Sequence, residues 1–292
     1  MNPLFIAALV GVLHVHHAPS HDSDRPFSRV LEAARAAELD FLVLTEHADL
    51  GTEGVLPAGE RAGLYESPGA EPLLVLVGAE FDTADGHLLG YQVERAIPAK
   101  DRPGRDVIAD IHAQGGFAVV PHPFAYGGWH DWDAPFDGLE VHNNAADFRR
   151  RLGIRLPLDL AWLAVDRESL ARSVLERPDR ELALWDQLLQ SGREIVAFSG
   201  ADAHENVSIL GWQLDPYEEM FGLVQTVCPD GPLTAEYLWS ALRGGRCWIR
   251  YKIHEAEAGA AAEVALPSGR RELQFESGRR VLEIRQPPSL QR

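Results

Sequence analysis

Two histidines separated by one residue provide the first chemical signal in this sequence. His14 and His16 flank Val15 near the end of an apolar run, and side chains two residues apart on a strand point to the same face. The pair can therefore hold one cation. An HxH pattern alone is a weak signal, because surface histidines also occur at this spacing by chance.

Other metal-binding residue types recur where further apolar runs end or begin. They are His47, Glu80, His87, His122, Glu140, Asn143, Asp202 and His204. The carboxyl ends of parallel strands gather on one rim of a barrel, where active sites lie. Chance does not repeatedly place such residues directly after strands, so the constellation predicts a metal centre.

The elements that must position these residues alternate between strands and helices. The predicted strands are short apolar runs, several of them without alternation, as is typical of strands covered on both faces. These runs are 8–13, 41–44, 73–77, 88–93, 117–120, 139–141, 195–198 and 223–227. Helices are predicted after Ser23 and Asp24, with Pro26 at the first helical position, and at 106–114, 181–190 and 234–242. This alternation predicts a parallel α/β sheet closed into a barrel.

The motifs HVHHAPSHDSD, TEH, GAE, GHLLG, PHP and GADAH, in this order, resemble the polymerase-and-histidinol-phosphatase (PHP) superfamily over about residues 11–204. The resemblance implies a distorted seven-stranded βα, TIM-like barrel with two or three divalent metal ions. The segments LALWDQLLQSGREIVAFSGADAH and LWSALRGGRCWI are similar to its carbaryl-hydrolase-like (CehA/McbA-type) branch.

The resemblance also implies which residues bind the metals. The ligands are expected to be His14, His16, His21, His47, Glu80, His87, His122, Asp202 and His204. Glu80 would bridge the first metal to a second one, and Glu80, Asp202 and His204 are the expected catalytic residues. His21 stands where many relatives have Asp, so either His21 or Asp22 is the ligand of the third metal. Glu46 replaces the usual Asp and is expected behind the ligands.

Ligand chemistry and the resemblance together predict a hydrolase. Histidine and carboxylate ligands without thiolates suit Mn²⁺, Zn²⁺ or Fe²⁺, and a metal-activated hydroxide is available at neutral pH. The superfamily favours phosphoester hydrolysis. Hydrolysis of a carbamate or aryl carboxylic ester is the alternative, favoured by aromatic residues and by the lack of a clear Arg/Lys cradle for phosphate. These aromatic residues are Trp129, Trp132, Phe136 and Trp162. A non-catalytic metal-binding or interaction barrel is the alternative of another class.

Composition restricts the partners. The formal net charge of −17 argues against a nucleic-acid backbone as the main partner, so a small-molecule substrate is expected. The apolar segment 1–13 is too short to span a bilayer, and we interpret it as a buried first strand, with a leftover export signal as the alternative.

Cys228 and Cys247 are the two cysteines, and they form no CxxC. They exclude a thiolate zinc finger and a disulfide-rich scaffold and fit a reducing compartment, so a cytoplasmic location is expected, with a periplasmic or secreted form as the alternative. The oligomeric state stays open.

Domain organisation follows from a change in pattern near Gly244. We predict a metallohydrolase barrel over 1–243, with a helical insertion at about 147–180, and a β-like appendage over 244–292. The charged run 149–151 is expected to be solvated, with steering of an anionic substrate as the alternative. The histidines expected to lie outside the metal centre are His17, His112, His130, His142 and His254.

Overall fold

The computed structural model describes residues 8–48, 56–150, 175, 177–209, 211–254, 261–275 and 280–292. The strands are β1 (Ala8–Val15), β2 (Phe41–Leu44), β3 (Gly63–Ser67), β4 (Ala70–Val77), β5 (Ala79–Thr83), β6 (Gly86–Tyr91), β7 (Phe117–Val120), β8 (Gly138–Asn143), β9 (Val196–Gly200), β10 (Ser208–Ile209), β11 (Trp212–Gln213), β12 (Gln225–Pro229), β13 (Trp248–Arg250), β14 (Ala261–Ala265), β15 (Arg271–Phe275) and β16 (Val281–Arg285). The helices are α1 (Phe27–Ala36), α2 (Gly104–Ala113), α3 (Asp179–Gln190), α4 (Tyr217–Leu223) and α5 (Ala235–Arg243).

The strands of the described residues form two main open sheets rather than the single closed barrel that was expected. The larger sheet has the order β14-β15-β16-β13-β12-β1-β2-β4-β3, and the smaller has the order β5-β6-β7-β8-β9. Strands β1, β2 and β4 run parallel, as do β7, β8 and β9, whereas β6 is antiparallel to both of its neighbours. Only Ala84 and Asp85 separate β5 from β6. So short a connection can form a hairpin but not a crossover, which explains the antiparallel strand.

The two sheets meet at both of their seams close to the predicted metal ligands. An isolated parallel bridge joins Val15 to Ala203, and another joins His47 to Glu80. At the first seam the His16 N–H donates to the Ala203 carbonyl at 3.0 Å, and at the second the Ala48 N–H donates to the Glu80 carbonyl at 2.8 Å. Regular pairing therefore stops where the chain turns its histidines and carboxylates toward one another.

Helix α1 packs Val30, Ala33 and Ala34 into the core. It begins at Phe27, with an extended Pro26 as the N-cap, so the predicted caps Ser23 and Asp24 are wrong. The Ser23 hydroxyl instead donates to the carbonyl of His204 at 2.9 Å, and thus supports the loop that follows β9.

The other predicted helices are close to the observed ones. Helix α2 and helix α3 each begin two residues earlier than predicted, at Gly104 and Asp179. In α5, Thr234 is the N-cap, and its side chain accepts the Tyr237 N–H at 3.3 Å.

Beyond Gly244 the chain continues the larger sheet. Strand β13 pairs with both β12 and β16, and β16 pairs with β15. The boundary between 1–243 and 244–292 stays a prediction. Most of the predicted insertion at 147–180, including 151–174, lies outside the described residues, as does residue 176.

Cys228 of β12 forms a disulfide with Cys247, which precedes β13. The interpretation that the cysteines fit a reducing compartment therefore gains no support, because disulfides persist in oxidising compartments. Within the described residues, no helix is both long and apolar enough to cross a membrane.

Candidate metal centre

Strand β1 presents His14 and His16 through an irregularity in its pairing. Its register with β2 shifts between Val12 and Val15, and His14 has a φ of 62°, a left-handed conformation that is uncommon for a residue other than glycine. Both rings are buried and face the same site, with their centroids 5.1 Å apart. The regular alternation assumed from the sequence is thus broken by a bulge, yet the two imidazoles still come together.

Glu80 of β5 lies at the middle of the site. Its Oε2 is 3.0 Å from His14 Nε2, 3.2 Å from His16 Nε2 and 3.5 Å from His47 Nε2. Its Oε1 is 2.8 Å from His87 Nδ1 and 3.2 Å from His122 Nε2. The two oxygens of one buried carboxylate therefore face two different sets of histidines.

Asp202 approaches from the loop after β9. Its Oδ1 is 3.6 Å from His14 Nε2, and 3.5 Å from Nδ1 of His204. The Asp202 backbone has a φ of 49°, and its N–H donates to the His14 carbonyl at 2.7 Å. Left-handed backbone at both residues is typical of strained functional sites, where the surrounding structure holds the conformation.

A further group of candidate ligands lies around Asp22. Its Oδ2 is 2.7 Å from Nε2 of His204 and 3.6 Å from Nε2 of His47. The ring of His16 stacks on that of His204 with 4.2 Å between centroids. The ring of His21 lies 4.6 Å from that of His47. Of the two neighbours between which the sequence left the choice open, it is Asp22 whose carboxylate points at the histidines.

These side chains fit divalent cations. Ligand atoms within 4.8 Å of one another form groups that could each hold an ion: His16, Asp22, His47 and His204; His14, His16 and Glu80; His14, His122 and Asp202; and Glu80, His87 and His122. Several of the buried ring nitrogens lie near a carboxylate without the geometry of a hydrogen bond, namely Nε2 of His16 and His204 and Nδ1 of His47 and His87. Oδ1 of Asp22 also makes no hydrogen bond. Buried polar atoms are rarely left without partners, and such ligand atoms turned toward one another are what a metal site requires.

Carboxylates dominate the electrostatics of the site. Burial by itself lowers the pKa of His14, but Glu140, Glu80 and Asp202 outweigh burial and hold this pKa well above its usual range. Burial likewise lowers the pKa of His47, but Asp22, Asp82 and Glu80 outweigh burial and raise this pKa to about 11.

His16 behaves in the opposite way. Burial and the neighbouring charge of His204 lower its pKa to about 3, although Glu80 opposes this shift. The raised pKa values of His14 and His47 favour their protonated forms, so a cation that binds there would compete with protons.

Other residues that hold the ligands in place were not assigned this role from the sequence. Glu140 of β8 accepts a hydrogen bond from the His14 Nδ1–H through Oε1 at 2.8 Å, and its Oε2 accepts the His122 backbone N–H at 3.0 Å. A Cβ at Gly200 would lie only 2.1 Å from Glu140 Oε1, so this carboxylate needs glycine on the neighbouring strand. The sequence signal for Glu140 was its position in a strand whose end carries polar residues.

Glu46 lies behind the ligands, as expected. Its carboxylate accepts the His17 backbone N–H at 3.0 and 3.1 Å and also contacts the His17 ring. His17 thus has a partner that its loop position did not reveal. Asp82 was also missed; its Oδ1 lies 3.4 Å from His47 Nδ1 and 3.2 Å from His87 Nε2.

The remaining histidines lie outside these ligand groups. His112 on α2 contacts Asp137 at 2.7 Å, and the buried His142 contacts Asn144 Oδ1 at 2.8 Å. His254 is buried beyond β13 and stacks on Tyr251.

A cavity of about 380 Å³ opens beside the metal centre. His122 and Glu140 line its inner end, and Tyr126, Arg149 and Arg180 line it farther out. Its lining does not include the aromatic residues that were expected there: the buried Trp129 packs against Phe136, and Trp132 packs at the edge of the same core. Trp162 lies outside the described residues.

No protein-family model matches the chain. An uncharacterized protein of Methanocaldococcus jannaschii is 29% identical over 126 residues, which make up 42% of this chain and 68% of that protein.

Among solved structures, PsfC from Pseudomonas syringae is similar, with a TM-score of 0.52 and 18% identity over 86% of this chain and 94% of that chain. A two-domain protein from Bacteroides vulgatus that contains a predicted PHP-like metal-dependent phosphoesterase gives a TM-score of 0.50 and 16% identity over 91% and 75% of the two chains. The lesion-specific endonuclease PfuEndoQ from Pyrococcus furiosus gives a TM-score of 0.50 and 13% identity over 82% and 56%. At these identities the likeness concerns the fold, which is a mixed α/β fold similar to that of structures containing a PHP-like domain.

Proposed function

We propose that this chain is a metal-dependent hydrolase that cleaves phosphoesters. The observation that carries the proposal is the Glu80 carboxylate, whose two buried oxygens face His14 and His16 on one side and His87 and His122 on the other. A carboxylate between two sets of imidazoles is the arrangement needed to bridge two cations. The Bacteroides vulgatus protein with the same fold contains a predicted phosphoesterase of this kind.

In this proposal the chain's residues hold and orient the metals and the substrate. The proposed ligands are His14, His16, Asp22, His47, Glu80, His87, His122, Asp202 and His204. Glu140 fixes the orientation of the His14 ring. Divalent cations bound there would supply a water of lowered pKa and would neutralise charge on the phosphoryl group.

Tyr126 stands at the edge of the site, 4.8 Å from the His122 ring between centroids. Burial and nearby carboxylates raise the pKa of its hydroxyl, so the hydroxyl stays protonated and can donate a hydrogen bond to a bound anion.

The alternative within enzymes is hydrolysis of an aryl carbamate or ester, as the likeness to the CehA/McbA-type branch implies. Phe124 and Tyr126 in the cavity lining favour an apolar leaving group. Arg149, Arg150 and Arg180 in the same lining favour an anionic substrate, which is the alternative role given above for the charged run 149–151. We therefore prefer the phosphoester, and, because the whole chain carries a net charge of −17, a small molecule rather than nucleic acid.

Activity of the Mn²⁺-reconstituted full chain on p-nitrophenyl phosphate and on 1-naphthyl methylcarbamate tests the proposal. We expect turnover of the phosphate that falls roughly 100-fold or more in Glu80→Gln, as is usual when a group that acts on transition-state charge is lost. Glu94→Gln, at an exposed position on another part of the chain, is the matched control and should keep wild-type activity. Turnover of the carbamate alone would favour the alternative enzyme, and turnover of neither would favour a non-catalytic metal-binding barrel.

A further inference from the structure

The cavity beside the metal centre extends well past the residues that could bind a metal. It runs from His122 and Glu140 to Pro178 and Glu181, at the start of α3. Its volume of about 380 Å³ falls in the range of pockets that enclose small molecules. A phosphoester held at the metals would therefore extend its leaving group into a space built by this chain.

Two arginines on opposite segments of the chain stack on aromatic rings in this space. The Arg149 guanidinium lies 5.2 Å from the centroid of the Tyr126 ring, and the Arg180 guanidinium lies 3.6 Å from that of Phe124. Stacking on a ring orients the planar guanidinium and leaves its N–H groups available at the edge. Tyr126 in turn contacts His122, so Arg149 is one ring removed from the metal centre.

Neither arginine is neutralised within the described part of the chain. No ion pair joins Arg149 or Arg180 to a carboxylate among the residues that the structure describes. Both side chains are exposed. Both guanidinium groups line the cavity, so their positive charge is available to an anion that binds there.

Two of the three carboxylates in the lining already have partners. Asp147 pairs with Arg150 at 2.9 Å, and Glu140 contacts His14 at 2.8 Å. Glu181 is the third, and burial raises its pKa, with Asp147 adding to the shift. The part of the cavity that Arg149 and Arg180 line is called the outer cavity here. It thus offers two available guanidinium groups against one carboxyl group.

We propose that the outer cavity binds a second anionic group, a carboxylate or a phosphate, carried on the leaving-group side of the substrate. Arg149 and Arg180 bind this group, while the scissile phosphoryl group lies at the metals. The inference rests on the proposed phosphoesterase function and narrows its substrate to phosphoesters with two separated anionic groups.

Phosphonates test the subsite without requiring turnover. Calorimetry on the Mn²⁺-loaded full chain would compare 4-carboxyphenylphosphonate with the methyl ester of its carboxyl group. This methyl ester is similar in size but lacks the carboxylate charge. Benzene-1,4-diphosphonate replaces the carboxylate by a phosphonate and so tells which anion is preferred. We expect either probe with two anionic groups to bind about tenfold or more tightly than the methyl ester, as charge-assisted hydrogen bonds to arginine imply.

Variants then assign the effect to the two arginines. In the double variant Arg149→Gln/Arg180→Gln the preference should disappear, while binding of the methyl ester stays within about threefold and metal content is unchanged. Arg105→Gln, which removes an exposed arginine paired with Asp131, should keep the full preference. Equal Kd values for the probes in the wild type, or an unchanged preference in the double variant, would overturn the subsite.

Hydrolysis of 4-carboxyphenyl phosphate separates this inference from the proposed function. If the phosphonate preference depends on the arginines but no phosphoester is hydrolysed, the subsite stands and the phosphoesterase proposal fails. If phosphoesters are hydrolysed without any charge preference, the phosphoesterase proposal stands and the subsite is wrong.

Discussion

In the proposed metal centre, Asp22 supplies a carboxylate to the outermost group of ligands. From the sequence, a site made of His21, His47 and His204 has no carboxylate unless Asp22 joins it, and such a site should lose its metal first in mild acid. The structure places the Asp22 carboxylate 2.7 Å from His204. Burial would raise the pKa of Asp22, but His204 and His47 outweigh burial and hold this pKa well below its usual range. The Asp22 carboxylate therefore stays ionised in mild acid. One reason for early metal loss, the lack of a carboxylate, therefore disappears. The other reason is that His47 and His204 take up protons in mild acid, and it remains, so the order of metal release stays a prediction.

Substitution of the two neighbours distinguishes their roles. We expect Asp22→Asn to bind one equivalent of Mn²⁺ less than the wild type, because an amide is a poorer ligand than a carboxylate. His21→Asn should keep the wild-type metal content, as measured by elemental analysis after dialysis. The reverse result would return the ligand role to His21.

The sequence predicted which residue types gather but not how they are held. Motif order was enough to bring Glu80, His122 and Asp202 into one candidate site. It could not choose between His21 and Asp22, because adjacent residues in a loop differ in direction only through backbone angles that the sequence does not specify. Asp82 and Glu140 were missed as partners of histidines because each acts through a long-range contact.

At the scale of elements, the short β5–β6 hairpin changes the topology. The apolar run at 88–93 was correctly predicted as a strand, but its direction depends on a connection of two residues. Strand β5 was missed because the charged residues Glu80 and Asp82 interrupt its apolar pattern. The apolar pattern thus fails where the strand carries the proposed metal-binding residues.

An ion pair connects α3 to the chain just before β15. Asp186 accepts from Arg270 Nε at 2.6 Å and from Nη2 at 2.8 Å. Burial would raise the pKa of Asp186, but Arg270 and Ser268 outweigh burial and lower it. Because the folded-state pKa lies below the unfolded value of about 3.8, the pair stabilises the fold above that pH, and this contribution is lost as the pH falls through the folded-state pKa.

Urea unfolding of Asp186→Asn tests this contact. We expect a loss of about 1–3 kcal/mol in the free energy of unfolding between pH 5 and 8, and a smaller difference from the wild type below about pH 3.8. Asp110→Asn removes the partner of Arg102 in an exposed pair and should cost less than about 1 kcal/mol. A difference from the wild type that does not change with pH would show that ionisation of Asp186 is not the cause.

At the scale of the whole molecule, the disulfide lies at the end of β1 away from the histidines. Cys228 is opposite Leu9 in the register, whereas His14 lies near the other end of the strand. This bond was not predicted from the sequence, because Cys228 and Cys247 become neighbours only through the pairing of β12 with β13.

Removal of the disulfide should therefore affect stability and not the site. We expect Cys228→Ser/Cys247→Ser to lower the free energy of unfolding by about 2–4 kcal/mol, as is usual for closing a loop of this length. Metal content and hydrolysis should stay within about threefold of the wild type. Unchanged stability under non-reducing conditions would mean that the two thiols are not linked in the folded protein.

The two sheets together build the site, since β1 and β2 belong to one sheet and β5 to β9 belong to the other. Anomalous diffraction from crystals grown with Mn²⁺, recorded on both sides of the manganese absorption edge, tests most directly whether this junction holds metals. We predict one peak on each side of Glu80, the first bounded by His14 and His16 and the second by His87 and His122, with a further peak near Asp22. Ordered side chains with no anomalous peak within reach of Glu80 would contradict the account.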